Sequence, residues 1–262
     1  MPEFRLFQVD AFTERTFCGN PAAIVPVEAW PDEDLMQHIA AENNLAETAF
    51  VKKRGEAGQY DIRWFTPVTE VDLCGHATLG SAHVLWNHLG EKAGKLTFHC
   101  RGGQLPVERD NGMIVLDFPS RPGASVPVSA AIVMALGRMP AELYKARDYM
   151  AVFENKRDVH ELAPDMAKVA ELDAMGLIVT APATRHDFVC RYFCPGAGIP
   201  EDPVTGSAHC TLVPFWAKRL GKSSLTSHQV SRRAGELFCQ DRGDRVSIAG
   251  RCADYLSGTI RV

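Results

Sequence analysis

One pattern occurs twice in this chain, 131 positions apart, and it constrains the fold more than any other feature. The segment 74–78, CGHAT, matches the segment 205–209, TGSAH, with Gly75 and Gly206 in equivalent places. In each copy a Leu-Gly pair follows, and its glycine lies fifteen residues after Gly75 or Gly206. An Arg-x-Gly-x-Leu sequence comes next in both copies. An offset of half of a 262-residue chain indicates duplication of a half-chain domain rather than a stack of short repeats.

Each copy predicts a buried helix of about fourteen residues. The helices begin at Gly75 and Gly206, and each ends at the second glycine of its copy, because glycine readily adopts the left-handed conformation that closes many helices. The stretches 77–86 and 207–217 contain no Asp, Glu, Lys or Arg. Because a surface helix needs a polar stripe, both helices are expected to be buried on all sides.

Short strands are predicted for most of the remaining chain, where alternating or continuous apolar residues lie between turn signals. They are expected at 5–9, 46–51, 60–65, 113–118, 177–180, 188–193, 245–248 and 258–262. Turn-forming residues at 120–124 mark a domain junction. The sequence therefore predicts an α+β protein whose N-terminal domain is 1–119 plus 256–262 and whose C-terminal domain is 120–255. Each domain consists of strands around one helix, and the active-site cleft is expected between them.

Charge and composition exclude several classes of function. The net charge of −4, from 28 basic and 32 acidic residues, gives no reason to expect a nucleic-acid or membrane partner. The longest apolar run, near 130–136, falls far short of the ~20 residues of a membrane-spanning helix. The first residues, MPEFR, lack the pattern of a signal peptide, so a cytoplasmic protein is expected. The eight cysteines are expected to be thiols, and no metal site is expected because no Cys-x-x-Cys pair is present.

The two repeated glycines point to anion binding. Gly75 and Gly206 leave free backbone N–H groups at helix starts, where the helix dipole also favours a carboxylate. His76 follows the first glycine, and Asp202 precedes the second by four positions. Both could also be structural, His76 as a helix-start histidine bonded to the backbone and Asp202 as a turn acid before Pro203.

Glu47 is the candidate acid/base. An amphipathic helix is predicted from Pro31 to about Asn44, and Glu47 follows it among apolar neighbours in a predicted strand. An apolar setting disfavours a carboxylate and raises its pKa toward the range useful for proton transfer. The alternative is an edge-strand glutamate that points at solvent.

Four stretches resemble the signature motifs of the PhzF-type phenazine biosynthesis-like proteins. They are residues 12–22 with the sequence CGNPA at 18–22, residues 44–48 (NLAET), residues 74–78 (CGHAT) and residues 201–208 (EDPVTGSA). The resemblance spans nearly the whole chain, in order and at family-like spacing. It implies the diaminopimelate-epimerase-like fold, with two pseudo-symmetric domains that each form a β-barrel-like sheet around a central helix.

The resemblance also implies a function. In phenazine synthesis the PhzF enzyme isomerises trans-2,3-dihydro-3-hydroxyanthranilate through a glutamate that shuttles a proton. By this resemblance Glu47 is the general acid/base, and His76 and Asp202 hold or help to protonate the substrate. Ser207 and the amides at Gly75 and Gly206 would bind its polar groups. The expected protein is a homodimeric isomerase of a small carboxylate, without a cofactor.

Two other functions stay open. Epimerases of this fold use a pair of cysteines at the two helix starts, but here Cys74 is matched by Thr205, whose hydroxyl is far too weak an acid. Alternatively, the chain could be a metabolite-binding protein without catalysis, which would have less use for a buried acid. Neither the physiological substrate nor the role of Cys74 follows from the sequence.

Overall fold

A computed structural model describes residues 1–262 and consists of two compact units. Unit 1 comprises Met1–Asp117 and Ala249–Val262, and unit 2 comprises Phe118–Ile248. The chain therefore returns to the first unit at residue 249, earlier than the expected residue 256. The reason is strand pairing, because the last strand pairs with the first one over its whole length, from Cys252 opposite Ala11 to Arg261 opposite Glu3.

Eighteen strands and six helices make up the two units. The strands are β1 (Glu3–Ala11), β2 (Asn20–Val27), β3 (Glu47–Lys53), β4 (Gln59–Phe65), β5 (Glu70–Val71), β6 (Lys95–Cys100), β7 (Gly103–Asp110), β8 (Met113–Pro119), β9 (Ala124–Val126), β10 (Glu142–Lys145), β11 (Tyr149–Val152), β12 (Leu177–Pro182), β13 (Phe188–Cys194), β14 (Ile199–Asp202), β15 (Ser224–Gln229), β16 (Gly235–Asp241), β17 (Arg245–Gly250) and β18 (Cys252–Arg261). The helices are α1 (Glu33–Asn43), α2 (Gly75–Asn87), α3 (Ala130–Leu136), α4 (Lys156–Glu161), α5 (Met166–Ala170) and α6 (Gly206–Leu220), with one 3₁₀ turn at Pro195–Ala197.

In unit 1 the strands follow one another around α2. β1 pairs antiparallel with both β18 and β2, β2 runs parallel to β3, and β3 pairs antiparallel with β4. β6 continues this arrangement parallel to β4, followed by β7 and β8 as antiparallel neighbours. Every residue of α2 from His76 to Ala82 is buried. The predicted central helix of this half is thus confirmed.

Unit 2 repeats this plan around α6. β12 and β13 pair antiparallel, β13 runs parallel to β15, and β15 pairs antiparallel with β16. Trp216 of α6 stacks on Phe188 of β13 at a ring-centroid distance of 5.6 Å, and its indole N–H donates to the Thr180 hydroxyl. α6 ends at Leu220 before Gly221, whose φ of +67° is the left-handed cap that the sequence predicts.

The eight predicted strands all coincide with observed ones, and the α+β class is confirmed. The end of α2 differs from its prediction. This helix stops at Asn87, with His88 as its C-cap, rather than at Gly90, although Gly90 itself has the expected left-handed φ of +72°. Among the helices, none combines the length and the apolar character needed to cross a bilayer.

Candidate active site

Glu47 is positioned by the turn between α1 and β3. Asn44 closes α1 with a left-handed φ of +49°, and Glu47 then begins β3 opposite Ala22 of the parallel strand β2. β3 lies between β2 and β4, so it is not an edge strand. The Glu47 side chain is only 14% exposed. The alternative of a solvent-facing edge-strand glutamate is therefore wrong.

Glu47 faces His76 across a short gap. Its Oε2 atom lies 3.1 Å from Nε2 of His76, the second residue of α2, whose side chain is 5% exposed. The contact is an ion-pair contact rather than a well-aligned hydrogen bond, and both atoms are buried without any other hydrogen-bond partner. Because buried polar atoms are almost always hydrogen-bonded, this pair has bonding capacity left for a ligand.

Two side chains lie at the other nitrogen of the His76 ring. The Asn20 amide nitrogen is 3.2 Å from Nδ1, and the Cys74 sulfur is 3.5 Å from it. An amide NH₂ can only donate, so in the neutral imidazole Nδ1 accepts and the proton is on Nε2. In the imidazolium both nitrogens carry protons, and the sulfur can accept from Nδ1. In either state an N–H group on Nε2 faces Glu47.

The charges of this cluster shift two pKa values. Burial disfavours protonated His76, but the negative charge of Glu47 and the hydrogen bonds of Cys74 and Glu47 outweigh this effect and raise the His76 pKa well above its ordinary value. Burial and the negative charge of Glu47 raise the pKa of the Cys74 thiol. A thiol with a raised pKa is protonated at neutral pH, so Cys74 is not primed to act as a thiolate base.

The same three side chains form a possible set of metal ligands. Glu47, Cys74 and His76 each offer one ligand atom, and these atoms lie within 4.8 Å of one another. The start of α2 adds positive potential, since no side chain caps it and its first turn contains no acidic residue. An anionic group bound beside Gly75 would meet unpaired backbone N–H groups.

In unit 2, Asp202 and Thr205 are linked around the start of α6. The Thr205 hydroxyl donates to Oδ2 of Asp202 at 2.6 Å. The Gln229 side chain accepts from the Thr205 backbone N–H and donates to the Asp202 carbonyl, at 2.9 and 2.8 Å. The Asp202 carboxylate is thus held by the Thr205 hydroxyl at the helix start, and the Asp202 backbone is held by Gln229 of β15.

Gly206 and Ser207 are the first residues of α6, with Gly206 buried and Ser207 partly exposed. The Ser207 hydroxyl accepts from a guanidinium N–H of Arg147 at 3.3 Å. Arg147 also lies 3.6 Å from the buried carboxylate of Asp148. An arginine side chain thereby lies next to the helix start that the repeat pattern singles out.

Two residues of these clusters have no role in the sequence-based prediction. Asn20 lies within a motif that carries the family resemblance, but only the fold shows that it contacts His76, 56 positions away. Arg147 lies between β10 and β11 and belongs to no motif. Nothing in the local sequence distinguishes it from other exposed arginines.

Comparisons with known proteins agree with this fold. The family model of the phenazine biosynthesis-like proteins, PhzC-PhzF, matches residues 9–258. An uncharacterized isomerase from Pseudomonas aeruginosa is 47% identical over 99% of this chain and 100% of its own length. The crystal structure of a PhzF-family phenazine biosynthesis protein from Enterococcus faecalis matches with a TM-score of 0.96 at 42% identity, over 100% of both chains.

More distant structures share the fold alone. A hydroxyproline epimerase from Agrobacterium vitis matches with a TM-score of 0.65 at 10% identity, over 98% of this chain and 92% of its own. This match shows that the chain shares the fold of an epimerase, in agreement with the expected diaminopimelate-epimerase-like fold. With a family model that covers almost the whole chain and relatives of nearly 50% identity, this protein belongs to the PhzC-PhzF family of phenazine biosynthesis-like proteins.

Proposed function

We propose that this protein is a cofactor-independent isomerase that moves a proton within a small carboxylate substrate, with Glu47 as general acid and base. The observation that carries the proposal is the Glu47–His76 pair, two buried polar atoms 3.1 Å apart with no other hydrogen-bond partner. The isomerase names of close relatives support the class of reaction. Catalytic hydrogen bonds in ligand-free proteins are often poorly aligned and tighten when substrate binds, so the bent contact is consistent with this role.

The proposed reaction is a proton shift. The Glu47 carboxylate removes a proton from one substrate carbon, the double bond moves, and the protonated Glu47 then delivers a proton to another carbon. Substrate and product therefore have the same atoms, and no electron acceptor is needed. The Nε2–H group of His76 faces the Glu47 carboxylate and holds it in position between turnovers.

The remaining residues are assigned to substrate binding. Gly75 contributes the unpaired N–H groups at the start of α2, and we assign Gly206 and Ser207 the same role on the basis of the resemblance. Arg147 is added as a cation for a substrate carboxylate, because its guanidinium contacts Ser207 and a planar fork of N–H groups matches a carboxylate. Asp202 is proposed to hold or help to protonate the substrate.

Two observations speak against two-base epimerisation. The pKa of the Cys74 thiol is raised by burial and by Glu47, and the equivalent Thr205 donates its hydroxyl proton to Asp202. A pair made of a thiolate and a thiol is therefore not available. A purely binding role is less favoured, because it leaves the unsatisfied Glu47 and His76 atoms without a purpose.

The test is proton NMR of the protein with trans-2,3-dihydro-3-hydroxyanthranilate in D₂O. We expect the diene signals of the substrate to disappear and deuterium to enter the ring. Glu47→Gln keeps the size and hydrogen-bonding capacity of the side chain but cannot carry the proton, so its rate should fall by at least about 100-fold, the contribution expected of a general acid/base. The matched control is Glu42→Gln, the same change at an exposed position of α1.

The outcomes separate three possibilities. Turnover by the Glu42→Gln variant but not by Glu47→Gln supports both the reaction and the residue. Turnover that survives in Glu47→Gln would show that another group moves the proton. Binding of the compound without any change would contradict this substrate, and other small carboxylates would then be tested for deuterium uptake.

A further inference from the structure

A second cluster of polar side chains lies at the other end of α2 from His76. His83 is in the last turn but one of the helix, His88 is its C-terminal cap, and Asp254 lies on β18. Nε2 of His83 and Nε2 of His88 are each 2.9 Å from the same oxygen, Oδ1 of Asp254. Two imidazoles from the end of one helix and a carboxylate from a strand far along the sequence thus lie together.

We propose that His83, His88 and Asp254 form a binding site for a divalent transition-metal ion such as Zn²⁺ or Co²⁺. Imidazole nitrogen and carboxylate oxygen are common protein ligands of these ions. The three ligand atoms lie within 4.8 Å of one another. Tetrahedral ligands with bonds of about 2.1 Å lie about 3.4 Å apart, so each N–O separation must widen by about 0.5 Å when the ion enters.

The burial of the three side chains suits such a movement. The His83 side chain is 12% exposed and that of His88 is 30% exposed, whereas Asp254 is 54% exposed. The two imidazoles are therefore the fixed part of the site, and the carboxylate can move outward to admit the ion. Solvent at the open side of Asp254 completes the coordination.

Neighbouring side chains hold both rings. The His88 ring packs on Phe7 of β1 at 5.2 Å between centroids, with an interplanar angle of 32°. The Asn87 amide nitrogen lies 3.0 Å from Nδ1 of His83, so in the present arrangement the ring proton is on Nε2 and points to Asp254. Ligation through Nε2 moves that proton to Nδ1, where the oxygen of the Asn87 amide accepts it once the amide turns over and gives up its present hydrogen bond from Arg109 (3.0 Å).

The sequence alone could not reveal this cluster. His83 and His88 are five residues apart and Asp254 is more than 160 residues away, so no ligand spacing is visible. A metal ion would tie the C-terminal end of α2 to β18 within unit 1. The site does not depend on the proposed isomerase reaction, because it uses none of the residues assigned to that reaction.

The test is titration of untagged protein with Co²⁺, followed by visible absorption. We expect one ion per chain with d–d bands and no thiolate charge-transfer band, since the ligands are nitrogen and oxygen. His83→Gln and His88→Gln should each weaken Co²⁺ binding at least about tenfold, as loss of a ligand requires. Glutamine keeps an N–H near the Nε2 position, so a merely structural hydrogen bond to Asp254 survives in both variants.

Two controls make the outcome decisive. His38→Gln removes an exposed histidine of α1 in the same unit and should leave Co²⁺ affinity unchanged. Cys74→Ser tests the rival ligand set of Glu47, Cys74 and His76 and should also leave it unchanged. Absence of stoichiometric binding, affinity that survives both glutamine variants, or a thiolate band lost in Cys74→Ser would each overturn the proposal.

Discussion

In the neutral form of His76, Asn20 determines whether the nitrogen that faces Glu47 carries a proton. Its buried amide NH₂ lies 3.2 Å from Nδ1 and can only donate there. The Nε2–H group is thereby directed to the Glu47 carboxylate. Hydrogen-bond partners that orient a functional histidine influence activity without touching the substrate.

Asn20→Asp reverses this preference with almost no change in volume. A carboxylate oxygen at position 20 accepts from Nδ1–H, so at a pH above the raised pKa of His76 the neutral ring loses the proton on Nε2 that faces Glu47. At that pH we expect kcat to fall by about 10- to 100-fold, the range typical when such orienting partners are lost. Nitrogen-15 NMR of the His76 ring at the same pH should show the tautomer change that a purely structural defect would not produce.

The matched control for this prediction is Asn111→Asp. Asn111 lies exposed in the tight turn between β7 and β8, so the same chemical change there should leave both the tautomer and kcat unaltered. An Asn20→Asp protein with normal turnover and an unchanged His76 spectrum would contradict the role assigned to Asn20.

Among the elements, α2 matters most because it carries His76 at its first turn and packs tightly on the sheet behind it. Gly80 is the point of closest approach. A Cβ atom at this position would lie 2.8 Å from Cγ2 of Val9 and 3.5 Å from Cδ1 of Ile24. Both neighbours are buried β-branched side chains with little rotamer freedom. The absence of a side chain at Gly80 is therefore a packing requirement.

Gly80→Ala should destabilise unit 1 despite the better helix propensity of alanine. Propensity favours alanine by about 1 kcal/mol, whereas overpacking of a tight core costs about 1–3 kcal/mol. We expect the free energy of unfolding in urea to fall by up to about 2 kcal/mol. Gly94→Ala, at an exposed glycine with no atom within 4 Å of the added Cβ, should be close to neutral.

A double variant identifies the cause. Val9→Ala removes the methyl group that the new Cβ would meet, so Gly80→Ala should cost less in this background, with a coupling energy of about 1 kcal/mol. Strictly additive effects of the two substitutions would show that the contact with Val9 is not what Gly80 relieves.

For the whole molecule, the repeat in the sequence was enough to predict two similar units, each with a buried helix that starts at a glycine. This prediction succeeded because the absence of charged residues from a helix and the glycine at its start are local signals, visible in the sequence after Gly75 and Gly206. The return of the chain at residue 249 was missed, because it depends on the pairing of β18 with β1 across almost the entire sequence.

In the candidate site, too, local motifs could be predicted from the sequence and long-range contacts could not. Glu47 and His76 could be selected from their motifs, and the fold brings them to 3.1 Å. The contact of His76 with Asn20 and the position of Arg147 beside Ser207 result from tertiary packing between segments 56 and 60 residues apart. Contacts of this kind leave no periodic trace in one sequence, so they could not be predicted.

Each copy of the repeat has a histidine in the first turn of its helix, but at a different place, one residue after Gly75 in His76 and three residues after Gly206 in His209. In unit 1 the pKa of His76 is raised beside Glu47. In unit 2 His209 is fully buried, its Nδ1–H donates to the Thr205 carbonyl at 2.8 Å, and Nε2 accepts from the Ser227 hydroxyl at 2.8 Å. Burial lowers the pKa of His209 to about 4. This histidine is therefore a neutral structural residue.

A lowered histidine pKa makes unit 2 sensitive to acid in a defined window. Above its ordinary pKa of 6.5 His209 is neutral in the folded and the unfolded chain, so it carries no penalty. As the pH falls from 6.5 to about 4, only the unfolded chain takes up the proton, and the stability of unit 2 decreases by about 3 kcal/mol. Below pH 4 the folded state is protonated as well and this contribution becomes constant.

The measurement is amide hydrogen exchange of α6 at pH 7 and pH 4.5, corrected for the intrinsic exchange rates, in the unmodified protein and in His209→Gln. Glutamine does not titrate, so the loss of protection between the two pH values should be smaller in the variant by about 2–3 kcal/mol. Acidic side chains contribute equally to both proteins, and their effect cancels in the difference. An identical pH dependence in the two proteins would mean that His209 keeps its ordinary pKa in the folded state, and that burial does not keep its side chain neutral.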